Sequence, residues 1–423
     1  MIHIAARVPD PAVRRLTTTL YGYAFLSDLV LLYPLYVVFF ADTGLSVGQI
    51  SSLFVIWSAA GILFEVPSGA WADVVSRRLL LCLAPLVTAA GFALWVSLPS
   101  YPAFAVGFLL WGAGGALVSG ALEALVWTEL DRLGAVGRYA RVLGRARTAG
   151  VLGVVLSGVL AGPVLAAGAY PAIGAASVLA CLLAAVVATR LPEHRPAATR
   201  STRSSSELDD DGGDLGWWET LRAGLTQVRT RPPVRAAVLL VAVVAADWGA
   251  LDEYTPLLAL DTGVGTPVVP LLLLLLWAGV TIGGLLAPLG ERLSRHGYAA
   301  LLGVVGVALA GGALLRHPGG FVLLAVAFGA AQLATVLADA RLQARIVGNS
   351  RATVTSLAGM ATDLLIIGTY AGFGLLATAA GTAVAFAVTA GPYLVLGVVL
   401  LTRRRRGAAV PTGGTASVVG GPH

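Results

Sequence analysis

About a dozen apolar stretches, each close to 20 residues long and separated by Gly, Pro or charged residues, dominate this 423-residue chain. A helix of about 20 residues crosses roughly 30 Å of hydrocarbon. Lipid offers no water to open backbone groups, and the runs are too long for barrel strands, so each must be a helix. Helices are predicted at 17–41, 48–71, 79–98, 102–129, 143–168, 170–190, 234–260, 267–289, 298–315, 319–344, 352–378 and 381–402. Apolar residues make up 57% of the chain and charged ones 12%, about half the charge of an ordinary soluble domain. The expectation is an all-α integral membrane protein with twelve transmembrane helices.

Several chemistries are excluded by the residues present. Cys82 and Cys181 lie inside apolar runs without a CxxC or a Cys/His cluster, so neither a disulfide framework nor a metal site is expected. His3, His194, His296, His317 and His423 fall in predicted loops or tails, which leaves carboxylates to carry any proton chemistry inside the spans. There is no P-loop and no H-E-x-x-H, and the spans hold no Ser/His/Asp set, so the chain is expected to be neither an ATPase nor another enzyme. No cofactor is expected.

All 28 basic residues are arginine. They sit at helix ends rather than on one soluble face, which argues against nucleic acid and for membrane topology. The amino tail, alternate loops and the carboxyl tail together hold 27 arginines, and the opposite connections hold one, Arg316. Both termini are therefore expected in the cytoplasm, in a multi-pass protein of the cell membrane.

One long segment, 191–233, interrupts the pattern. Its middle is rich in Ser, Asp and Gly and reads as linker. Beyond it, Trp217, Trp218, Leu221, Leu225 and Val228 recur at helical spacing with Arg222 and Arg229 opposite, as in an amphipathic helix on the inner interface. The expected domains are 1–190, a six-helix bundle; 191–233, the cytoplasmic linker with its interface helix; 234–402, a second six-helix bundle; and 403–423, a cytoplasmic tail.

The two bundles repeat. A shift of 219 positions lays Asp28 on Asp247 and Asp42-Thr43-Gly44 on Asp261-Thr262-Gly263. With one gap, Asp73 to Arg78 falls on Glu291 to His296, and Glu123 falls on Asp339 when the fourth and tenth helices are compared. Matches in one order at a nearly constant offset point to a duplicated six-helix unit.

The segment Gly69-Ala70-Trp71-Ala72-Asp73-Val74-Val75-Ser76-Arg77-Arg78 resembles the loop signature G-x-x-x-D-R/K-x-G-R/K-R/K of the major facilitator superfamily, with Val74 in place of the usual base and Ser76 in place of glycine. The resemblance covers about residues 15 to 402 and implies two pseudo-symmetric six-helix bundles. It also implies a conformational latch at Gly69, Asp73, Arg77, Arg78 and Glu65, the last one helical turn before Gly69. Gly69 would permit close helix approach, and Asp73 would accept hydrogen bonds from a helix amino terminus or an arginine.

In the fifth helix, Gly158 to Ala167 resembles the G-x-x-x-G-P-x-x-G-G element of drug:proton antiporters in that superfamily, with Gly158, Gly162 and Pro163 matching and Ala166 and Ala167 replacing glycines. The resemblance implies export. The arginine that many such antiporters carry in the fourth helix is missing, with Phe108 at its position.

Ionisable side chains deep in a membrane cost at least ~2.5–3.5 kcal/mol each and are functional candidates by default. Asp28 and Asp247 lie about halfway along the first and seventh helices. Asp252 and Glu253 lie farther outward on the seventh, Glu123 and Asp339 near the inner ends of the fourth and tenth, and Asp363 within the eleventh. The family resemblance places helices one, four, seven and ten around the central cavity. With Tyr33, Tyr36, Trp248 and Tyr254 in the same spans and no arginine in the middle of any, the cavity is expected to prefer cationic or neutral cargo.

The function expected is a proton-coupled exporter of small amphiphilic or cationic compounds, driven by the proton gradient, with Asp28 and Asp247 as candidate proton carriers and Asp252, Glu253, Glu123 and Asp339 in the same cavity. Its partners would be a small-molecule substrate, protons and the lipid bilayer, and it would act as a monomer. The alternatives are a nutrient symporter, which the scarcity of Asn and Gln in the spans disfavours, and a non-transporting membrane sensor.

Overall fold

Serine, proline and glycine punctuate the helices. Ser76 caps one amino terminus by accepting from the Leu79 amide at 3.1 Å, and Ser294 caps another by accepting from Gly297 at 3.1 Å. Prolines occupy the first turn of several further helices, those beginning at Tyr101, Pro232, Thr255, Val269 and Ala287 among them, where the missing amide is no loss. The computed structural model describes residues 11–194, 217–346 and 351–402, with backbone alone at 65–74, 217–221, 223–224 and 351–352.

The helices, in order, are α1 (Pro11–Asp28), α2 (Tyr36–Asp42), α3 (Val47–Val74), α4 (Arg77–Ser97), α5 (Tyr101–Val118), α6 (Ala121–Arg132) and α7 (Tyr139–Ala188). After the linker come α8 (Trp217–Thr230), α9 (Pro232–Asp252), α10 (Thr255–Asp261), α11 (Val269–Leu285), α12 (Ala287–Gly290), α13 (Arg295–Leu314), α14 (Gly320–Gln343), α15 (Arg351–Ala380), α16 (Thr382–Thr389) and α17 (Gly391–Thr402). Among the described residues ten stretches are long and apolar enough to cross a membrane. One of them, Val136–Ala188, turns back at Gly168 and Ala169 and so makes two crossings. The interrupted first span, α1 with α2, brings the crossings to the expected twelve. No strand occurs among the described residues.

Several predicted spans are broken rather than continuous. The first stops after Asp28 and resumes at Tyr36, and the amide of Leu32 in the gap is satisfied by the Ser177 hydroxyl at 3.0 Å. The seventh stops after Asp252 and resumes at Thr255. In the fourth, Gly120 takes φ +73° and separates α5 from α6. The fifth begins at Tyr139, four residues before its predicted start, because Gly134 turns the chain early with φ +62°.

The duplication is visible atom by atom. α2 and α10 are displaced by the predicted 219 positions at both ends. Thr43 donates its hydroxyl to the Phe40 carbonyl and Thr262 to that of Ala259, each at 2.7 Å. Gly44 and Gly263 follow with φ +92° and +83°, values that only glycine adopts freely. Packing repeats as well: α5 sits on α3 and α4 as α14 sits on α11 and α13, and α1 lies on α7 as α9 lies on α15. The halves meet along two related lines, α3 with α15 and α7 with α11. The helix α8 packs against α9 and α15, burying Gln227 and leaving Leu225 exposed.

Candidate functional site

Aromatic side chains seal the halves against each other at one end. The Tyr36 hydroxyl of the first span donates to the Glu253 carboxylate of the seventh. Beside it, Tyr254 donates to Ser51 Oγ at 2.7 Å and stacks on Phe373 with ring centroids 3.8 Å apart. Phe54 of α3 lies 5.1 Å from Tyr370 of α15, centre to centre. A methyl group added at Gly48 would meet Thr378, and one added at Gly374 would come within 2.6 Å of Ser51. These contacts lie near the connections that carry few arginines, so the seal is on that side.

Behind the seal, toward the arginine-rich loops, a cavity of about 500 Å³ lies between the halves. Trp57 and Trp111 form one wall and Ile366 and Tyr370 another, with Glu253 and Asp363 as acidic groups and no basic residue among the described residues of its lining. A second cavity of about 380 Å³ lies within the N-terminal half, lined by Asp28, Tyr33, Glu123, Arg147 and again Trp111. Trp111 divides the two. It stacks on Trp57 at 4.8 Å and on Tyr33 at 5.3 Å, so a ladder of flat rings runs between two chambers, each with two carboxylates.

The predicted site residues separate into groups. Asp28 ends α1 and packs against Gly150 of α7, where an added methyl carbon would stand 2.2 Å from the carboxylate. Asp247 lines neither cavity. It is 9% exposed, accepts from Thr369 at 3.1 Å with one oxygen and leaves the other without a partner. Asp252 has the Trp277 side chain as a hydrogen-bond partner and one buried oxygen without any. Glu123 joins Asp28 in the N-terminal chamber, whereas Asp339 is exposed and outside both. Tyr33 lines a chamber as expected. Tyr36 and Tyr254 belong to the seal, and Trp248 is tied to Thr335 at 3.1 Å.

The expectation of a cavity without a fixed cation needs correction, because Arg147 lines the N-terminal chamber. Arg147 falls in the first turns of the predicted span 143–168, near its end rather than its middle. The early start of α7 puts it two turns into a helix, close enough for its long stem to reach inward. Sequence reasoning also missed Trp57 and Trp111, which look like ordinary apolar residues of a span, and Gly150, whose role depends on what it faces.

At the arginine-rich end, Arg77 reaches α6 within the same half, donating to the Ala124 carbonyl at 3.1 Å and to Thr128 Oγ1 at 2.9 Å. Glu193 accepts from the amides of Arg77 and Arg78 and from Ser76 Oγ, which accounts for serine where the signature has glycine. Arg78 is exposed. Gly69 lies on α3, and the side chains of Glu65 and Asp73 lie outside the described residues, as does the tail beyond 402. Gly158 and Gly162 sit where α7 meets the other half: added methyl groups would strike Leu274 and, at 2.4 Å, the Pro267 carbonyl oxygen. Pro163, next to them, is exposed. Among the described residues no His/Cys/Asp/Glu group could hold a metal ion.

Twelve crossings, a duplicated six-helix unit and a cavity between the copies define a multi-pass membrane transporter. The family model of the Major Facilitator Superfamily matches residues 19–369, and the chain belongs to that superfamily. No curated protein matches it in sequence. Among solved structures it is similar to the nucleoside transporter NupG, at 13% identity and TM-score 0.70, covering 93% of this chain and 98% of that one. It is also similar to a bacterial homologue of the human lysosomal transporter Spinster in an inward-facing, unoccupied conformation, at 16% identity and TM-score 0.67, covering 93% and 95%. A third is a D-xylose–proton symporter, at 16% identity and TM-score 0.59, covering 92% and 97%. At these identities the likeness concerns the fold.

Proposed function

We propose that the chain is a proton-coupled exporter of small cationic or neutral amphiphiles, working by alternating access in the cell membrane with both termini in the cytoplasm. One observation carries the reading: Glu253 is both a wall of the cavity between the halves and the acceptor of the bond that closes its outer side. A cation entering from the cytoplasm is drawn to Glu253 and Asp363 and competes with Tyr36 for the carboxylate, which loosens the outer seal. Once the site faces outward, a proton neutralises the acid and releases the cargo. The neutral acid then returns without the penalty of a buried anion.

Asp28 and Glu123 form a second pair of acids one ring ladder away, and Asp28 is a proton carrier in this scheme. Asp247, outside the cavities and bonded to Thr369, fits a helix-to-helix contact better than proton traffic. The fifth-helix glycines at the contact between halves support the antiporter resemblance. The aromatic ladder supplies the apolar surface that an amphiphile would cover. Arg147 favours a second reading, a symporter for a polar solute, because it could pair with an anionic group beside Asp28.

The two readings separate in cells loaded with a fluorescent lipophilic cation. An exporter lowers its accumulation, and collapsing the pH gradient abolishes the difference. If accumulation is unchanged by expression, or unaffected by the gradient, export of cations is the wrong assignment.

A further inference from the structure

The N-terminal half carries a third cleft, which shares no lining residue with the two chambers. α1 contributes Arg14, Thr17 and Tyr21, and the beginning of α7 contributes Arg141 and Arg145, with Arg138 from the turn before it. Positions 14, 17 and 21 follow the i, i+3, i+7 spacing of one helix face, as do 138, 141 and 145. The cleft between these faces encloses about 310 Å³, near the lower bound of small-molecule sites.

Four arginines line this space, with no carboxylate among the described residues of its lining. None of the four forms an ion pair among the described residues. Two acids of the same half have partners of their own: Glu129 holds His194 at 2.9 Å and Arg132 at 3.3 Å, and Glu193 accepts from the amides that open α4. Membrane topology asks for arginine at this end of the helices, but scattered arginines satisfy that demand equally well. Gathering four on two facing surfaces raises their mutual repulsion, which an anion between them would relieve. Guanidinium forks match the oxygens of a phosphate two at a time. The amino end of α7, whose cap residue Arg138 makes no side-chain capping bond, adds the positive end of a helix dipole.

We propose that this cleft binds a phosphate group at the inner membrane surface and so ties the first span to the fifth. The group comes either from the headgroup of an anionic phospholipid or from free phosphate, and both sources present the same oxyanion.

Thermal unfolding of the purified full-length protein tests this. One arm compares inorganic phosphate with chloride at equal ionic strength in neutral detergent; the other compares phosphatidylcholine vesicles with and without phosphatidylglycerol. The variants are R138Q/R141Q/R145Q and a control, R229Q/R231Q/R235Q, that removes as many charges outside the cleft. We expect wild type and control to unfold at higher temperature with one of the two sources, and the cleft variant to lose most of that gain. A gain with phosphate in detergent identifies the free anion, and a gain confined to phosphatidylglycerol identifies the headgroup. If the glutamine variant does not fold, R138K/R141K/R145K keeps the charges and should respond several-fold more weakly than wild type. No gain from either source in wild type, or equal losses in cleft and control variants, would overturn the proposal.

Discussion

Tyr36 and Glu253 belong to different halves of the molecule, and the hydroxyl of the first donates to the carboxylate of the second at the point where the central cavity is closed. The bond lies inside an aromatic plug, with Phe54, Phe108 and Trp111 5.9–6.2 Å from the Tyr36 ring. Seal and binding wall therefore share a residue, so whatever changes the charge of Glu253 acts on both.

Replacing Tyr36 by Phe keeps the plug and removes the donor. A hydrogen bond to a charged group contributes about 1.5–3 kcal/mol, equivalent to roughly a tenfold to hundredfold change in equilibrium. The variant should populate a state open on the sealed side by about that factor. Spin labels at the exposed positions Gln49 and Ala380, on the sealed-side ends of α3 and α15, would report a longer distance in Tyr36→Phe than in wild type.

Gly150 makes room for Asp28, since an added methyl carbon would stand 2.2 Å from its carboxylate. Gly150→Ala should displace Asp28 and lower stability by about 1–3 kcal/mol, with transport reduced along with it. Gly144→Ala, in open space on the same helix, should leave transport unchanged and raise stability by about 0.5–1 kcal/mol. Unfolding temperature and uptake into liposomes distinguish the two.

Ala169 turns the chain between the fifth and sixth crossings at φ 54° and ψ −160°, a region essentially reserved for glycine. Relief of that strain, of order 1–3 kcal/mol, should outweigh the roughly 0.5–1 kcal/mol of extra chain entropy that glycine loses on folding. Ala169→Gly is expected to raise the unfolding temperature with transport unaltered.

Arg147 opposes a cation in the N-terminal chamber. Its removal in Arg147→Gln should tighten binding of a lipophilic cation a few-fold at low salt, and added salt should shrink the difference as charges are screened. Equal affinity for the two proteins would mean that the cargo does not visit this chamber.

Much of the architecture was legible because lipid allows so few solutions: run length and arginine placement were enough for twelve crossings. The repeat was legible through Asp42-Thr43-Gly44 and Asp261-Thr262-Gly263, a turn whose backbone demands constrain its residues. The breaks after Asp28 and Asp252 were not, because Ser177 and other partners that stabilise the unwound chain lie far away in sequence. The seal was hidden for the same reason. Tyr36 and Tyr254 read as cavity residues, since nothing local shows that their hydroxyls cross to the opposite half. Arg147 was not legible as a cavity residue because it stands near the end of its span, and nothing local shows that its long stem reaches the chamber.

The central claim, that cargo and proton compete for acids in the cavity, is tested most directly by measuring protons released when the purified protein binds a lipophilic cation such as tetraphenylphosphonium in weakly buffered solution. Wild type should release protons on binding, and Glu253→Gln should release fewer. Binding without release, or equal release from wild type, Glu253→Gln and Asp28→Asn, would contradict the account.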